Sequence, residues 1–331
     1  MKKYNVVVVG ATGLVGRTLL KVLEERNIPI NNLRLIASEK SIGKKITVLG
    51  KEHVVEGLSK NSFINADFVF FCAGSKVSKQ YIKEASKQAI VIDNSSAFRM
   101  NPEIPLVVPW INGSEIKEKR IIANANCSII PCITVLKPLN ERYHITKVNY
   151  TTYQSVSGSG FKGINDLMRT RTIEKPLFYP QPIALTCIPF IGEAISHNET
   201  SEEQKMKDET KKILNRFDLK VSATCIRVPV FYCHGIVVSV EAKKEFDLAE
   251  VKKILSQMPK VILKDDLTIN EFPSSVEGYN TDYIYVGRIR LDETRENGLI
   301  LYILADNLRT GAASSSVEIM QYIINHSGAE S

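Results

Sequence analysis

Six cysteines and five histidines are the side chains of this 331-residue chain best suited to covalent or acid–base chemistry. No cysteines are spaced as CxxC, so the spacing of a structural zinc site is missing and no metal is expected. Four cysteines have plain structural readings. Cys72 ends an apolar strand, Cys132 lies within an apolar helix, Cys187 sits in a Pro-rich apolar loop and Cys225 alternates within a strand. Cys233 adjoins His234, but neighbours in an extended strand point to opposite faces and are poorly placed to pair. Cys127 differs, because it follows two asparagines and opens an apolar helical run. A helix N-terminus stabilises a thiolate, which makes Cys127 the candidate nucleophile.

Magnitudes show what Cys127 would need. An ordinary thiol has a pKa near ~8.5, and becoming mostly ionised at neutral pH takes a drop of about two units, or ~2.7 kcal/mol. A helix terminus typically supplies ~0.3–1 kcal/mol and at best ~2. A basic partner is therefore required, and His234, which precedes Gly235, is the best candidate. His53, His144, His197 and His326 lie in polar or chain-end contexts. Most free cysteines are small core hydrophobes. On residue types alone, Cys127 stays open between nucleophile and core residue.

The elements that must position these groups follow from the hydrophobic pattern. Strand signals at 4–9, 32–37, 66–72, 89–93 and 120–123 alternate with helical signals at 13–26 and 77–87. Alternation at these lengths predicts a doubly wound parallel sheet. Beyond a helix at 128–139, strand signals at 147–156, 220–230, 235–242, 281–291 and 299–305 have few helices between them, apart from a charged helix at 200–217. This predicts an α+β domain with a mostly antiparallel sheet. A last amphipathic helix is expected at 311–325. The expected organisation is a dinucleotide-binding domain at 1–126, a catalytic and dimerisation domain at 127–308, and a C-terminal segment at 309–331 whose apolar face returns to the first domain. A homodimer is expected, because the second sheet has few helices to cover both faces.

The loop after the first strand carries glycines at 10, 13 and 16 in GATGLVG. Such glycines let the backbone turn tightly and approach a pyrophosphate at a helix N-terminus. After the second strand come Ala37 and Ser38, then Lys40, Ser41, Lys44 and Lys45, rather than an acidic residue alone. Small hydroxyls and lysines suit a 2′-phosphate, so the expected cofactor is NADP, with Glu39 turned away.

Composition excludes other classes. Hydrophobic residues make up 44% and charged residues 24%, ordinary values for a globular protein. The net charge of +7 is spread without Arg/Lys tracts, which suits small anions and not nucleic acid. No apolar run approaches the ~20 residues of a membrane span. The VVVV near the start is too short for a secretory leader. A cytoplasmic location with reduced thiols is expected.

Read together, GATGLVG (10–16), ASEKSIGKK (37–45), NSSAFR (94–99), NANCS (124–128), QSVSGSG (154–160), EEQKM (202–206), RVPVFYCHG (227–235), VGRIR (286–290) and ADNLRTGAA (305–313) resemble, in order, the aspartate-β-semialdehyde dehydrogenase family. The resemblance implies a Rossmann-like first domain and NADPH-dependent reduction of aspartyl phosphate to aspartate semialdehyde and phosphate, in lysine, threonine and methionine biosynthesis. It implies Cys127 as the thioester-forming nucleophile, His234 as acid/base and Gln154 as the group that orients the reacting carbonyl. Arg227 would hold the substrate carboxylate, Glu202 its ammonium, and Arg99, Asn126 and Lys205 the phosphate. Gly10, Thr12, Gly13, Leu14, Val15, Gly16, Ser38, Ser41, Ala73, Ser95, Ser157, Gly158 and Asn307 would line the NADP site. The family is at least dimeric, which leaves room for a dimer of dimers. Ala125 and Ile129 depart from the Pro and Thr common in the family. Malonyl-CoA reductases and N-acetyl-γ-glutamyl-phosphate reductases share the scaffold. The latter would show a Gly-Cys-Tyr type of context in place of Asn-Cys-Ser. A non-catalytic NADP-binding homologue is the remaining alternative.

Overall fold

The computed structural model describes residues 2–326, which form two compact units. One is the chain up to Ala125 together with the stretch from Ala312 onward; the other is Asn126–Gly311.

In chain order, the first unit is β1 (Tyr4–Val9), α1 (Leu14–Glu25), β2 (Ile30–Ala37), β3 (Lys45–Val48), β4 (Lys51–Gly57), β5 (Phe68–Phe71), α2 (Ser75–Gln88), β6 (Ile90–Asp93), β7 (Leu106–Val107), the short α3 (Pro109–Asn112) and β8 (Ile121–Asn124). The second unit is α4 (Ile129–Tyr143), β9 (Ile145–Gln154), α5 (Phe161–Arg171), α6 (Ser201–Leu214), β10 (Lys220–Arg227), β11 (His234–Ala242), α7 (Leu248–Ser256), β12 (Val261–Leu263), the single-turn α8 (Ser275–Gly278), β13 (Ile284–Leu291) and β14 (Gly298–Ala305). The last element, α9 (Ser314–His326), belongs again to the first unit.

The first sheet has the order β3-β4-β2-β1-β5-β6-β8-β7, parallel except where β3 pairs with β4. β1 explains its two-sided burial. Val6 and Val8 pack with Leu19, Leu23, Val317 and Met320 of α1 and α9. Val7 and Val9 pack with Ile82 and Ala85 of α2 on the other face. An apolar run without alternation is what a strand covered on both sides requires. Strand order reverses direction between β1 and β5, the switch point where such sheets bind ligands. There Gly10, at φ +88°, brings the exit of β1 against that of β5. A Cβ on it would lie 2.7 Å from the Cys72 carbonyl oxygen. Helix α9 is pinned to the end of α1 by Arg26, 2.7 Å from Glu318.

The second sheet has the order β10-β9-β11-β14-β13-β12. Its three inner pairings are antiparallel, whereas β10 with β9 and β12 with β13 are parallel. One face of β9 (Val148, Tyr150, Thr152, Gln154) is buried, and Tyr150 meets Thr210 of α6 at 2.9 Å. The opposite face is partly open along Asn149, Thr151 and Tyr153.

Several elements lie outside the expected pattern. The β3–β4 hairpin turns at Leu49-Gly50 with φ of +55° and +67°, a left-handed pair usually marked by Asn-Gly. Helix α5 begins within a glycine-rich stretch that reads as a turn. Its Gly163 is required because a Cβ would strike the Val156 carbonyl oxygen at 2.3 Å. Helix α7 has a legible start, since Asp247 accepts from the amides of Ala249 and Glu250.

Met320 is fully buried between the strands and α1. Met320→Ala should lower stability by about 2–5 kcal/mol, the usual cost of a large-to-small core change. The exposed Lys79→Ala should be near neutral. Equal urea midpoints for the two variants would contradict this packing.

Candidate active site

The second unit gathers most of the candidate catalytic residues by strand register. Arg227 of β10 pairs with Gln154 of β9, and Gln154 with His234 of β11. Directly paired residues point to the same face. All three side chains therefore form one row on the helix-covered side of the sheet, with exposures of 5%, 2% and 1%.

His234 is held in one tautomer. The Ser155 amide donates to Nδ1 at 3.1 Å, so the proton of the neutral ring sits on Nε2. Burial, reinforced by the Arg227 charge and only partly opposed by Glu202, pushes the imidazole down to about 3. At neutral pH the ring is uncharged. The expected basic partner is therefore a neutral ring and not a standing positive charge, because burial costs the imidazolium more than Glu202 returns. Nε2 is buried and has no hydrogen-bond partner among the described residues. The gap beside it is kept open by Gly158, where a Cβ would lie 3.3 Å from Nε2 and 2.8 Å from an Arg227 terminal nitrogen. A buried donor without a partner, facing a gap beside a guanidinium, is suited to an anionic oxygen. Arg227 is itself steadied by donating to the Ser155 carbonyl at 2.6 Å.

Two neighbours of His234 differ from the sequence reading. Cys233 is not extended. Its φ of +70° is left-handed, and its amide donates to Asn307 Oδ1 at 3.0 Å. Gly235 makes room for Tyr302, whose hydroxyl would lie 1.9 Å from a Cβ there, and not for a ligand.

Cys127 lies just before α4 and is half-buried. Asn126 caps the helix start. Its Oδ1 accepts from the Ser128 amide at 2.8 Å, and its carbonyl accepts from Ile129 and Ile130. Gly311 presses against the thiol residue, since a Cβ on it would lie 2.7 Å from Cys127 Cβ. Ala125 and Ile129, the two departures from the family pattern, are both buried. Of the other cysteines, Cys132 and Cys225 are fully buried, and burial raises both thiols, Cys225 to about 12.

Glu202 joins the parts. Its Oε1 accepts from Asn126 Nδ2 at 3.0 Å and from Gln154 Nε2 at 3.4 Å, and Lys205 meets its other oxygen at 3.0 Å. Taken alone, Glu202 and Lys205 read as an exposed pair, yet Glu202 is only 6% exposed. Burial raises its carboxyl, but Lys205, Asn126 and Arg227 together outweigh that and hold it at about 2.

Asn307 and Ser157, expected at the cofactor, have their polar groups engaged in holding the 155–158 turn. Asn307 Nδ2 lies 3.0 Å from Ser157 Oγ, and Asn307 Oδ1 accepts from Ser155 Oγ at 3.0 Å. Sequence reasoning missed Ser155 and also Glu209, whose carboxylate accepts the Asn126 amide at 2.7 Å. A signal existed for Glu209: Glu202, Met206, Glu209 and Ile213 share the buried stripe of α6, where an acidic residue is out of place.

The nucleotide candidates fall in the first unit. Helix α1 has Gly13 at its cap, no side-chain cap and no acid in its first turn; α2 begins likewise behind Gly74, next to Ala73. Free amides at two helix starts, on either side of the switch point, fit a pyrophosphate. Gly16 lets α1 pack on the loop, since a Cβ would lie 2.2 Å from the Gly10 carbonyl oxygen. Thr12 reaches Ser41 at 3.4 Å, Leu14 and Val15 form the first turn of α1, and Ser38, Glu39 and Lys40 are exposed. Lys45 pairs with Glu52, while Lys40 and Lys44 are exposed. Ser95 donates to the buried Asp93 at 2.9 Å. Arg99 is pinned by the carbonyls of Asn124 and Asn94, both at 2.9 Å.

A switch-point nucleotide cradle in one unit and a buried imidazole–guanidinium row in the other define an oxidoreductase of two-domain α/β build. Residues 5–119 match the semialdehyde dehydrogenase NAD binding domain, and residues 136–310 match the semialdehyde dehydrogenase dimerisation domain. The chain is 44% identical to the aspartate-semialdehyde dehydrogenase of Aquifex aeolicus, over 97% of this chain and 98% of that one. It is 40% identical to that of Bacillus subtilis, over 96% of each. The crystal structure of aspartate semialdehyde dehydrogenase II from Vibrio cholerae complexed with ASA superposes with a TM-score of 0.93 at 37% identity, over 98% of this chain and 99% of that one. The chain belongs to the aspartate-semialdehyde dehydrogenase family.

The two perturbed groups set an acid response. His234 ordinarily titrates at 6.5 but at about 3 here, so from 6.5 down to 3 the unfolded chain takes up a proton that the folded one refuses. Glu202 falls from 4.5 to about 2, so its contribution is complete above 4.5 and lost towards 2. Both make stability fall as pH falls. His234→Asn should flatten the decline between 6.5 and 4.5, where only the histidine of this pair titrates. Urea unfolding across that window reads it, and an unchanged slope in the variant would count against the buried neutral imidazole.

Proposed function

We propose that this chain catalyses the NADPH-dependent reduction of L-4-aspartyl phosphate to L-aspartate 4-semialdehyde and phosphate, through a thioester on Cys127. The observation that carries the roles is the partnerless Nε2–H of His234 beside Arg227, facing the gap at Gly158. The whole-chain likeness to aspartate-semialdehyde dehydrogenases supports the substrate class.

Each group then has a task. The Cys127 thiolate attacks the acyl carbon, and phosphate leaves as the carbon–sulfur bond forms. The developing oxyanion accepts a hydrogen bond from His234 Nε2–H, an electrostatic role that a neutral, fixed donor performs without reorganisation. Arg227 holds the substrate α-carboxylate by its planar fork. Glu202 receives the ammonium, and Lys205, Asn126 and Arg99 serve the phosphate. Gln154 orients the carbonyl from the middle of the row. NADPH bound in the first unit would supply the hydride that reduces the thioester carbon, and Cys127 would leave as thiolate with release of the aldehyde.

The cradle at Gly10, Gly13 and Gly16 would hold the pyrophosphate, and Ser38, Ser41 and Lys44 the 2′-phosphate. The open face of the second sheet, with Thr151, Tyr153, Val237 and Tyr302 partly exposed, suits a self-complementary dimer contact, and the matching dimerisation domain supports that use. All six cysteines are free thiols, which suits a cytoplasmic enzyme.

Phosphate-dependent reduction of NADP by aspartate semialdehyde tests the activity, with malonyl-CoA and N-acetylglutamate semialdehyde as competitors for the assignment. Cys127→Ser should lower kcat by orders of magnitude while NADP binding persists, because a hydroxyl is a far weaker nucleophile at neutral pH. The buried Cys132→Ser should cost stability and spare turnover. His234→Asn should slow the reaction by roughly 10²–10³-fold, the usual cost of losing one oxyanion donor. Turnover lost with Cys132→Ser and kept with Cys127→Ser would overturn the scheme.

Cofactor choice has its own test. Ser38→Asp should repel a 2′-phosphate and narrow or reverse the preference for NADP over NAD, read by titration at fixed salt. Equal affinities in the unaltered protein would refute the NADP assignment.

A further inference from the structure

Glu209 is a buried carboxylate that the reaction scheme does not use. It is 1% exposed and lies on α6 seven residues after Glu202, so both face the same side of the helix. The two converge on one residue. Glu209 Oε2 accepts the backbone amide of Asn126 at 2.7 Å, and Glu202 Oε1 accepts its side-chain amide at 3.0 Å. Asn126 in turn caps α4 through its Oδ1 and carbonyl, and Cys127 follows it directly.

We propose that Glu209 is a positioning residue for Cys127. By fixing the Asn126 amide it sets the peptide that leads into the nucleophile, and so the direction in which the thiol leaves the start of α4. The inference rests on Cys127 being the nucleophile.

The geometry favours this over a purely stabilising role. Burying a carboxylate is costly unless its oxygens are bonded, and a backbone amide could equally be satisfied by a neutral acceptor. An anion placed there adds rigidity through a short, charge-assisted bond. It also sets a negative potential one residue from the thiol, which opposes ionisation and must be balanced. The titratable groups that meet this side of α6 include Glu202, Glu203 and Lys205 on α6 itself, Tyr150 on β9, Cys225 and Arg227 on β10, His234 on β11 and Cys132 on α4. Arg227, with Lys205, is the balancing cation. Their contact and charge effects already act on Glu202.

The test compares Glu209→Ala and Glu209→Gln in the full chain. The rate of Cys127 alkylation by iodoacetamide is read from its own peptide as a function of pH, alongside kcat and KM for aspartate semialdehyde. Glu209→Ala removes the acceptor. It should lower kcat by about tenfold or more with KM changed much less, while the alkylation profile moves to lower pH because the charge is lost as well. Glu209→Gln keeps an acceptor oxygen and removes the charge. It should recover most of kcat and move the alkylation profile to lower pH.

An alkylation profile for Glu209→Gln that matches the unaltered protein overturns the proposal, and that outcome can be read even if Glu209→Ala fails to fold. A folded Glu209→Ala with unchanged kcat and alkylation overturns it as well. Retained turnover in Cys127→Ser would instead sink the nucleophile assignment, which the peptide-specific alkylation does not depend on.

Discussion

The register of β9 is the constraint on which the site depends. This strand pairs in parallel with β10 and antiparallel with β11, and both pairings meet at Gln154. Side chains alternate faces along a strand, so a slip of one residue in either pairing would carry Arg227 or His234 to the open face. Apolar burial of Val148, Tyr150, Val238 and Val240 on the helix side fixes the register, and so fixes the site. The catalytic row is in this sense a by-product of core packing. No loop has to find its place.

Charge balance is the second layer. The row and α6 together bury three carboxylates (Glu202, Glu203 and Glu209), a guanidinium and an imidazole. An isolated buried ion is strongly unfavourable, and one partner removed from a buried pair leaves the other uncompensated. The arrangement meets this by keeping the imidazole neutral and placing Glu202 between Lys205 and the Arg227 charge. Glu202, which bonds Asn126 just before Cys127, is thereby held as a carboxylate. The neutral imidazole, with its proton on Nε2, serves better as a fixed donor to an oxyanion than as a counter-ion.

Much of this was legible in the sequence, and what was not has identifiable reasons. The βα alternation, the glycine loop and the candidate thiol at a helix start follow from period, spacing and turn chemistry. Helix α7 could have been read from Asp247 and its apolar stripe. The β3–β4 hairpin could not, because Leu49 occupies a left-handed position without the usual Asn or Gly. The tautomer of His234 was beyond reach, since it depends on a backbone amide, Ser155, that composition does not distinguish. Cys233 misled for a similar reason. A strand-like stretch hides a residue at positive φ, held there by Asn307 far along the chain. Glu202 and Glu209 looked like surface charge because a charged helix usually is one.

The two units achieve precision by different means. In the first, function is assigned to backbone: amides at the starts of α1 and α2, and glycines whose missing Cβ atoms allow the close approach at Gly10 and Gly16. Side chains there can vary widely if they leave the amides uncovered and the glycines bare. In the second, function is assigned to side chains, each held by another. Ser155 holds His234, Asn307 holds the turn after Ser155, and Glu202 holds Asn126. A substitution in the first unit acts mainly through sterics and is either tolerated or blocking. A substitution in the second passes along a connected polar network, where effects on neighbouring groups do not add. Ser155, which only holds His234, is then tied into the same network as the residues proposed to carry the chemistry.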